Sequence, residues 1–190
     1  EIEQSLRFDD GRGTYLSRTP SVAGNRKTWT WSGWVKRGNL TGYQHIFGSG
    51  NSTTTDEYIF WQGDSIEFYS RGKAVSFYTD AKYRDPSAWY HISFVYDSSN
   101  ATSTDRIRMY INGGRVTANA SAAYPTLNLD SHINGTIIHQ IGTRNRGTNE
   151  YPLDGYLAEV NFIDGQALTP DSFGETGTYG EWKPIAYAGT

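Results

Sequence analysis

Two neighbouring segments constrain the fold more than any other part of this chain. Residues 89–97 read WYHISFVYD and residues 106–114 read RIRMYINGG. Apolar side chains recur at every second position of both segments, which is typical of strands with one apolar face. These side chains are Tyr90, Ile92, Phe94, Tyr96, Ile107, Met109 and Ile111. Asn112-Gly113 is a preferred pair for a type I′ turn, because both central residues need a positive φ. The pattern predicts the central antiparallel strands of a β-sandwich.

The rest of the chain has the same character. Aromatic residues make up 15% of the sequence and glycine contributes 21 residues, a mixture typical of sheets joined by tight turns. About ten short strand patterns are separated by turn signals, and helix signals are nearly absent. Residues 29–36, WTWSGWVK, carry aromatic side chains on both faces, which predicts a central strand covered on both sides. We therefore expect an all-β fold, an antiparallel two-sheet β-sandwich or jelly roll.

The length of 190 residues falls in the usual range for one domain. We expect this domain to span residues 1–175. Residues 176–190 carry glycine, threonine and proline, and they predict a C-terminal linker or extension.

Charge and composition argue against several classes of partner. The chain has 17 basic and 20 acidic residues, so its net charge of −3 does not favour binding to nucleic acid. Its apolar runs are far shorter than the ~20 residues that span a bilayer, so we expect no membrane insertion. It has no cysteine, which excludes disulfides, thiol nucleophiles and cysteine-based zinc sites.

Several segments, in the right order, resemble one family. They are SLRFD at 5–9, TWSGWVK at 30–36, the strand pair at 89–97 and 109–113, and LDGYLAEV at 153–160. The chain resembles laminin-G-like domains, which belong to the concanavalin A-like lectin/glucanase jelly rolls, over about residues 5–175. The resemblance implies that fold and, by analogy, sugar binding. One departure concerns the acidic pair that the family often has in its closing strand. Here Ala158 precedes Glu159, so the resemblance does not support a calcium role for that position.

A narrower resemblance concerns the C-terminal part of the chain. Residues 161–168, NFIDGQAL, and 178–184, TYGEWKP, resemble variants found in structural proteins of tailed phages of aquatic origin. This resemblance implies a tail, fibre or capsid-decoration component at the virion surface or otherwise extracellular. It also implies other virion subunits as partners and leaves a homo-oligomer open.

Catalytic and metal sites have little support. Glucanases on this fold need carboxylates at alternate positions of one strand, and no Glu-x-Asp-x-x-Glu run is present. Asp56 and Glu57 are adjacent and would point to opposite faces of a strand. We therefore predict that the protein is not an enzyme and has no catalytic residues. The four histidines lack metal-ligand spacing. Calcium stays open, because several aspartates lie near predicted turns, and we name no ligands for it.

Sugar binding needs exposed aromatic faces and planar polar groups. Candidates near loops or strand ends are Tyr43, Trp61, Tyr83, Arg144, Asn145, Arg146 and Tyr151. From these we select Tyr43, Trp61, Arg144, Asn145 and Arg146 as the predicted ligand-binding residues. Trp61 is expected to be exposed because it lies beside the turn at Gly63-Asp64. The Arg144–Arg146 tripeptide has an alternative interpretation as a solvated loop or a subunit contact.

The favoured hypothesis is a non-enzymatic, lectin-like recognition module that attaches a virion to host glycans. The alternative is a purely structural virion domain for capsid decoration or tail assembly, which binds other subunits and no sugar. A glycoside hydrolase is the third possibility, and it lacks the carboxylate pattern. Because jelly rolls carry many unrelated functions, the fold alone does not decide among them.

Overall fold

The computed structural model describes residues 2–117 and 122–189. Sixteen strands follow one another along these parts of the chain. In chain order they are β1 (Leu6–Phe8), β2 (Leu16–Arg18), β3 (Thr28–Arg37), β4 (Tyr43–Gly50), β5 (Asp56–Gln62), β6 (Ser65–Ser70), β7 (Val75–Tyr78), β8 (Trp89–Asp97), β9 (Ile107–Ile111), β10 (Gly114–Arg115), β11 (His139–Ile141), β12 (Arg144–Asn145), β13 (Asn149–Glu150), β14 (Gly155–Asp164), β15 (Gly174–Thr176) and β16 (Trp182–Pro184).

Twelve of these strands form two six-stranded antiparallel sheets. Sheet 1 has the order β1-β14-β3-β8-β9-β10, and sheet 2 has the order β2-β11-β4-β5-β6-β7. Their inner faces pack on each other, which confirms the predicted all-β sandwich. Helical structure in the described ranges is limited to three 3₁₀ turns, at Asp10–Arg12, Ser103–Asp105 and Pro170–Ser172. None of these is long enough to cross a membrane.

The strand pair predicted from the sequence forms the middle of sheet 1. β8 pairs with β9, and Phe94 lies opposite Met109 with both side chains fully buried. Asn112 and Gly113 have φ values of 48° and 79°, as a type I′ turn requires. The predicted apolar face of both strands lies in the core or packs against it. Alternation and turn chemistry therefore predicted this region correctly.

Aromatic side chains dominate the core between the sheets. Trp29 of β3 stacks on Tyr96 of β8, with ring centroids 5.5 Å apart and planes 4° from parallel. Phe68 of sheet 2 packs on Phe94 of sheet 1 at 4.5 Å. Such aromatic pairs contribute about 0.5–1.5 kcal/mol each beyond the burial of their area. β3 has neighbours on both sides, β14 and β8, which confirms its predicted central position.

One carboxylate lies inside this core. Glu57, on the inner face of β5, is fully buried. Its Oε2 accepts hydrogen bonds from the Ser131 hydroxyl at 2.9 Å, from the Ile133 amide at 3.3 Å and from the His132 amide. Its Oε1 has no partner among the described residues. Burial raises the pKa of Glu57 to about 7, and these hydrogen bonds limit the rise. This carboxylate ties residues 131–133 to sheet 2.

The C-terminal segment folds back on the sandwich. β15 pairs with β16, and the indole N–H of Trp182 donates to Nδ1 of His91 on the outer face of sheet 1. The ring of Phe173 packs against Tyr187 at 5.2 Å. These contacts join the described part of residues 176–189 to the sandwich.

A short strand and a hairpin follow one another in residues 136–152. Regular pairing in residues 136–142 covers only β11, His139–Ile141. Residues 143–152 contain the β12–β13 hairpin. In that hairpin Arg144 lies opposite Glu150 and Asn145 opposite Asn149. The hairpin projects onto sheet 2 beside β4 and forms one wall of the site described next.

Candidate functional site

A cavity of about 370 Å³ opens on the face of sheet 2 that is turned away from sheet 1. We call it the outer-face cavity. Side chains alternate along β4, β5 and β6, so every second residue points into it while its neighbours enter the core. The residues that line it are Tyr43, His45, Asp56, Tyr58, Phe60, Gln62, Glu67, Tyr69, Arg71, Arg144, Arg146 and Tyr151. Apolar rings and charged groups therefore share one concave surface.

Two exposed tyrosines stand together at the rim. Tyr43 is 44% exposed and Tyr151 is 42% exposed, and their ring centroids are 5.3 Å apart. The backbone of Tyr151 has a φ of 53°, in the left-handed region that a bulky residue rarely adopts. Such strain costs on the order of 1 kcal/mol or more and often accompanies a functional position. The Tyr151 carbonyl accepts from the His45 amide at 3.1 Å, which fixes it beside β4.

A neutral histidine forms part of the floor. The His45 ring stacks on Phe60, with centroids 4.7 Å apart, and meets the edge of Tyr58 at 4.9 Å. Burial is the main cause that lowers the pKa of His45 well below 6.5, and the cations of Arg144 and Arg146 add to it. Neither ring nitrogen has a hydrogen-bond partner among the described residues. One donor and one acceptor are therefore buried without a protein partner next to the cavity.

Arginines from two parts of the chain complete the wall. Arg144 donates to Glu150 at 2.5 Å, and its guanidinium lies 4.6 Å from the centroid of the Tyr151 ring. Arg146 Nε lies 3.0 Å from Oδ2 of Asp56. Arg71 Nε donates to the other oxygen, Oδ1, of Asp56 at 3.1 Å. The buried Asp56 carboxylate thus forms an ion pair with one guanidinium group at each of its two oxygens.

The predicted binding residues divide in this structure. Tyr43, Arg144 and Arg146 come together at the outer-face cavity. The side chain of Asn145 instead serves the hairpin, because its Oδ1 accepts from the Gly147 amide at 2.9 Å. Its backbone amide donates to the Tyr58 hydroxyl at 2.8 Å, so Asn145 positions a cavity residue without lining the cavity.

Trp61 requires a correction. It is 0% exposed and lies in the core, so it has no free face for a sugar ring. The Arg37 guanidinium covers the indole at 4.5 Å, and the rings of Tyr83 and Tyr90 meet it at about 6 Å. Trp61 follows Glu57 and Ile59 on the inner face of β5, and this periodicity outweighs its closeness to a turn. Tyr83, another candidate, is half-buried and packs against the same core.

Several residues that line the outer-face cavity were not among the binding residues predicted from the sequence. They are His45, Asp56, Tyr58, Phe60, Gln62, Glu67, Tyr69 and Arg71. A signal for many of them was present, because period-two alternation in β5 and β6 places them opposite the core-facing Ile59 and Ile66. What the sequence does not contain is the pairing of strands that brings the residues together.

A second cavity is larger, about 650 Å³, but its chemistry is less specific. It opens near β2 and β11, and the rings of Phe47 and Phe162 line it. Its polar group Asp164 is already occupied, since Oδ1 accepts from the Asn25 amide at 2.7 Å and from the Asn134 amide group at 2.6 Å. Across residues 2–117 and 122–189, no group of three His, Asp or Glu is placed to hold a metal ion.

Comparisons with known proteins agree on the family and the fold. A laminin G-type family model, described as concanavalin A-like lectin/glucanases superfamily, matches residues 10–172. No curated protein matches the sequence.

Solved structures with a similar fold include carbohydrate-binding modules. The CBM40 module of the Ruminococcus gnavus IT-sialidase has a TM-score of 0.59 at 13% identity, over 88% of this chain and 95% of the module. The same module bound to α2,3-sialyllactose has a TM-score of 0.57 at 14% identity, over 90% of this chain and 96% of that one. The NanB sialidase of Streptococcus pneumoniae has a TM-score of 0.62 at 18% identity, over 90% of this chain but 27% of the enzyme.

Proposed function

We propose that this chain, which belongs to the laminin G-type family of the concanavalin A-like lectin/glucanase superfamily, is a lectin-like module that binds glycan without cleaving it. Its outer-face cavity combines aromatic rings with planar polar groups, as a glycan site requires. The proposal agrees with the carbohydrate-binding modules that share its fold, among them one solved with sialyllactose.

The observation that carries the proposal is the composition of the cavity wall. Exposed rings at Tyr43 and Tyr151 offer apolar faces on which the C–H face of a sugar ring can pack. Arg144 and Arg146 offer planar donors beside those rings, and both arginines are held by carboxylates. A ligand site needs this combination of apolar surface and a few fixed polar groups. The volume of about 370 Å³ suits one or two sugar residues.

The positions of the carboxylates favour binding over hydrolysis. Asp56 and Glu67 both line the cavity, and Glu67 pairs across the sheet with Phe60. Phe60 lies four residues beyond Asp56 on β5, which corresponds to about 13 Å along a strand. Glycosidases place their two carboxyl groups about 5.5 Å apart when they retain configuration and up to about 9.5 Å apart when they invert it. Asp56 is moreover engaged by two arginines.

A glycan array followed by calorimetric titration of the best ligands tests the proposal. We expect binding to at least one class of glycan and a loss of about tenfold or more in affinity for Tyr43→Ala. Tyr15→Ala is the matched control, since Tyr15 is 43% exposed and does not line the outer-face cavity. Failure to bind any glycan on the array would overturn the proposal. Release of reducing sugar from a bound glycan by pure protein would overturn its non-enzymatic part.

We also propose display on a virion surface, where the module would attach to host glycans. This role rests on the resemblance of residues 161–168 and 178–184 to phage structural proteins. Immunogold labelling of purified particles tests it, and labelling confined to the host cell surface would contradict it.

A second candidate function is assembly with other virion subunits or with further copies of this chain. Leu6, Leu16 and Val160 line one groove between the edges of the two sheets, and all three are exposed. Light scattering after size-exclusion chromatography tests for copies of this chain. An oligomer that Leu16→Glu dissociates would favour this function, whereas a monomer that binds glycan would favour the first.

A further inference from the structure

Asp56 forms ion pairs with two arginines, and the nearest atom of each arginine is its Nε. Arg71 donates through Nε to Oδ1 at 3.1 Å, and Arg146 places Nε 3.0 Å from Oδ2. The Asp56 side chain is 3% exposed, so this carboxylate is hidden beneath the two guanidinium groups. Arg71 therefore faces the carboxylate with its Nε–H, whereas Arg146 forms an ion pair with it but makes no hydrogen bond through Nε. The terminal Nη atoms of both arginines are left for other partners.

Those terminal nitrogens are largely unused. In the described parts of the chain, no hydrogen bond is made by the Nη atoms of Arg71 or Arg146, and the nearest carboxylate oxygen to Arg146 Nη1 is Glu150 Oε2 at 4.0 Å. A guanidinium carries five N–H donors, so most of the donors of both residues remain open. Their side chains are 36% and 17% exposed, and both line the outer-face cavity. A planar oxyanion matches such a pair of forks.

The open donors, and not an excess of charge, favour an anion here. Arg71, Arg144 and Arg146 form ion pairs with Asp56 and Glu150. Glu67 also lines the cavity, so the formal charge of these six groups is zero. Near these arginines, the rings of Tyr43 and Tyr151 provide the apolar surface for the rest of a ligand.

We propose that Arg71 and Arg146 form a carboxylate subsite and that the glycan bound in the outer-face cavity is an acidic one, carrying the carboxylate of a hexuronic or a sialic acid. This inference rests on the proposed glycan-binding function and names its ligand class. Asp56 is a positioning residue in this arrangement, because it orients both guanidinium groups and does not face the ligand carboxylate.

Matched ligand pairs that differ in the carboxylate test the subsite. Trigalacturonic acid is compared with its methyl ester, and sialyllactose with lactose, by calorimetric titration. We expect the acidic member of at least one pair to bind tenfold or more tightly than its neutral partner. The pair that shows this preference identifies the source of the carboxylate.

Variants of Arg71 and Arg146 test whether the preference for the acidic ligand depends on these two residues. Arg146→Gln and Arg71→Gln are expected to reduce the preference for the acid to less than threefold. Arg71→Lys keeps the charge but removes the fork, so it is expected to lose most of the preference as well. Arg115→Gln is the matched control, because Arg115 forms a similar exposed ion pair with Asp105 at 2.6 Å outside this cavity. A melting curve for each variant checks folding, and Arg71 serves as the test position if the less exposed Arg146 proves necessary for stability.

The outcomes separate the two proposals. If neutral glycans on the array bind and the acidic members of both pairs bind no better, glycan binding stands and the carboxylate subsite is overturned. A preference for the acid that survives in folded Arg71→Gln and Arg146→Gln also overturns it. If no glycan binds at all, the function itself fails.

Discussion

The indole N–H of Trp182 donates a hydrogen bond to Nδ1 of His91 at 3.0 Å. Nε2 of the same ring lies 2.9 Å from the Ser32 hydroxyl. Because Nδ1 accepts, the neutral ring carries its proton on Nε2 and can donate it to Ser32. The indole lies against Gly113 and Gly174, where an added Cβ would come within 2.6 Å and 2.5 Å of its carbon atoms. This contact fastens the C-terminal hairpin to the outer face of sheet 1.

Loss of the indole N–H is expected to weaken the fold. Trp182→Phe keeps an aromatic ring but leaves Nδ1 of the buried His91 without its donor. An unpaired buried polar group costs about 1–3 kcal/mol, so the free energy of unfolding in urea should fall by about that amount. Tyr179→Phe is the control, because Tyr179 is 93% exposed in the same hairpin and should change stability by less than about 0.5 kcal/mol. Equal stability of the two variants would contradict the contact.

Acid should weaken the same contact. Burial lowers the pKa of His91 from 6.5 to about 4, so the unfolded chain binds a proton before the folded protein does. The stability that His91 contributes is therefore complete above pH 6.5 and is lost as the pH falls through about 4. The loss is on the order of 3 kcal/mol, since one pKa unit corresponds to about 1.4 kcal/mol.

His91→Gln isolates this effect, because its amide can still accept from Trp182 and donate to Ser32. Burial also lowers the pKa of His45, His132 and His139, so the wild type alone would mix the titration of four histidines. Urea unfolding at a series of pH values should show a shallower decline for His91→Gln than for the wild type between pH 6.5 and 4. Parallel curves would show that His91 does not contribute.

Glu57 should produce the opposite dependence on pH. Its pKa is raised to about 7 in the folded protein against 4.5 for the free side chain, so the folded state retains the proton longer. Its contribution to stability is therefore complete below pH 4.5 and is lost as the pH rises through 7, by an amount on the order of 3 kcal/mol. In Glu57→Gln this part of the decline should disappear. The unfolding free energy of the variant minus that of the wild type should therefore become more positive from pH 5 to 8. A constant difference would contradict the assignment.

The parts of the fold that depend on neighbouring residues could be predicted from the sequence, and the parts that depend on distant contacts could not. Alternation in residues 89–97 and the Asn112-Gly113 pair are local, and both gave the observed strands and turn. The C-terminal extension depends instead on Trp182 meeting His91, 91 residues away. Composition alone left this segment open between a linker and an extension, because glycine and proline indicate turns and say nothing of distant contacts.

The candidate site was only partly predictable for the same reason. Tyr43, Arg144 and Arg146 were found from their types and their places near strand ends. Asp56, which orients Arg146, was considered only as a catalytic carboxylate, because its partner lies on a hairpin that the sequence did not reveal. Sheet pairing and the placement of the β12–β13 hairpin bring these groups together, and neither is encoded in local spacing.

The error at Trp61 leads to a last prediction, which compares a buried ring with an exposed one. Trp61→Ala should lower the free energy of unfolding by about 3–5 kcal/mol, because it removes a fully buried ring and leaves a cavity beneath the Arg37 guanidinium. Tyr43→Ala should change it by less than about 0.5 kcal/mol while weakening glycan binding, since its ring is at the rim of the outer-face cavity. Urea unfolding and calorimetric titration on the two variants measure both quantities. A stable Trp61→Ala variant that has lost glycan binding would return Trp61 to the binding site.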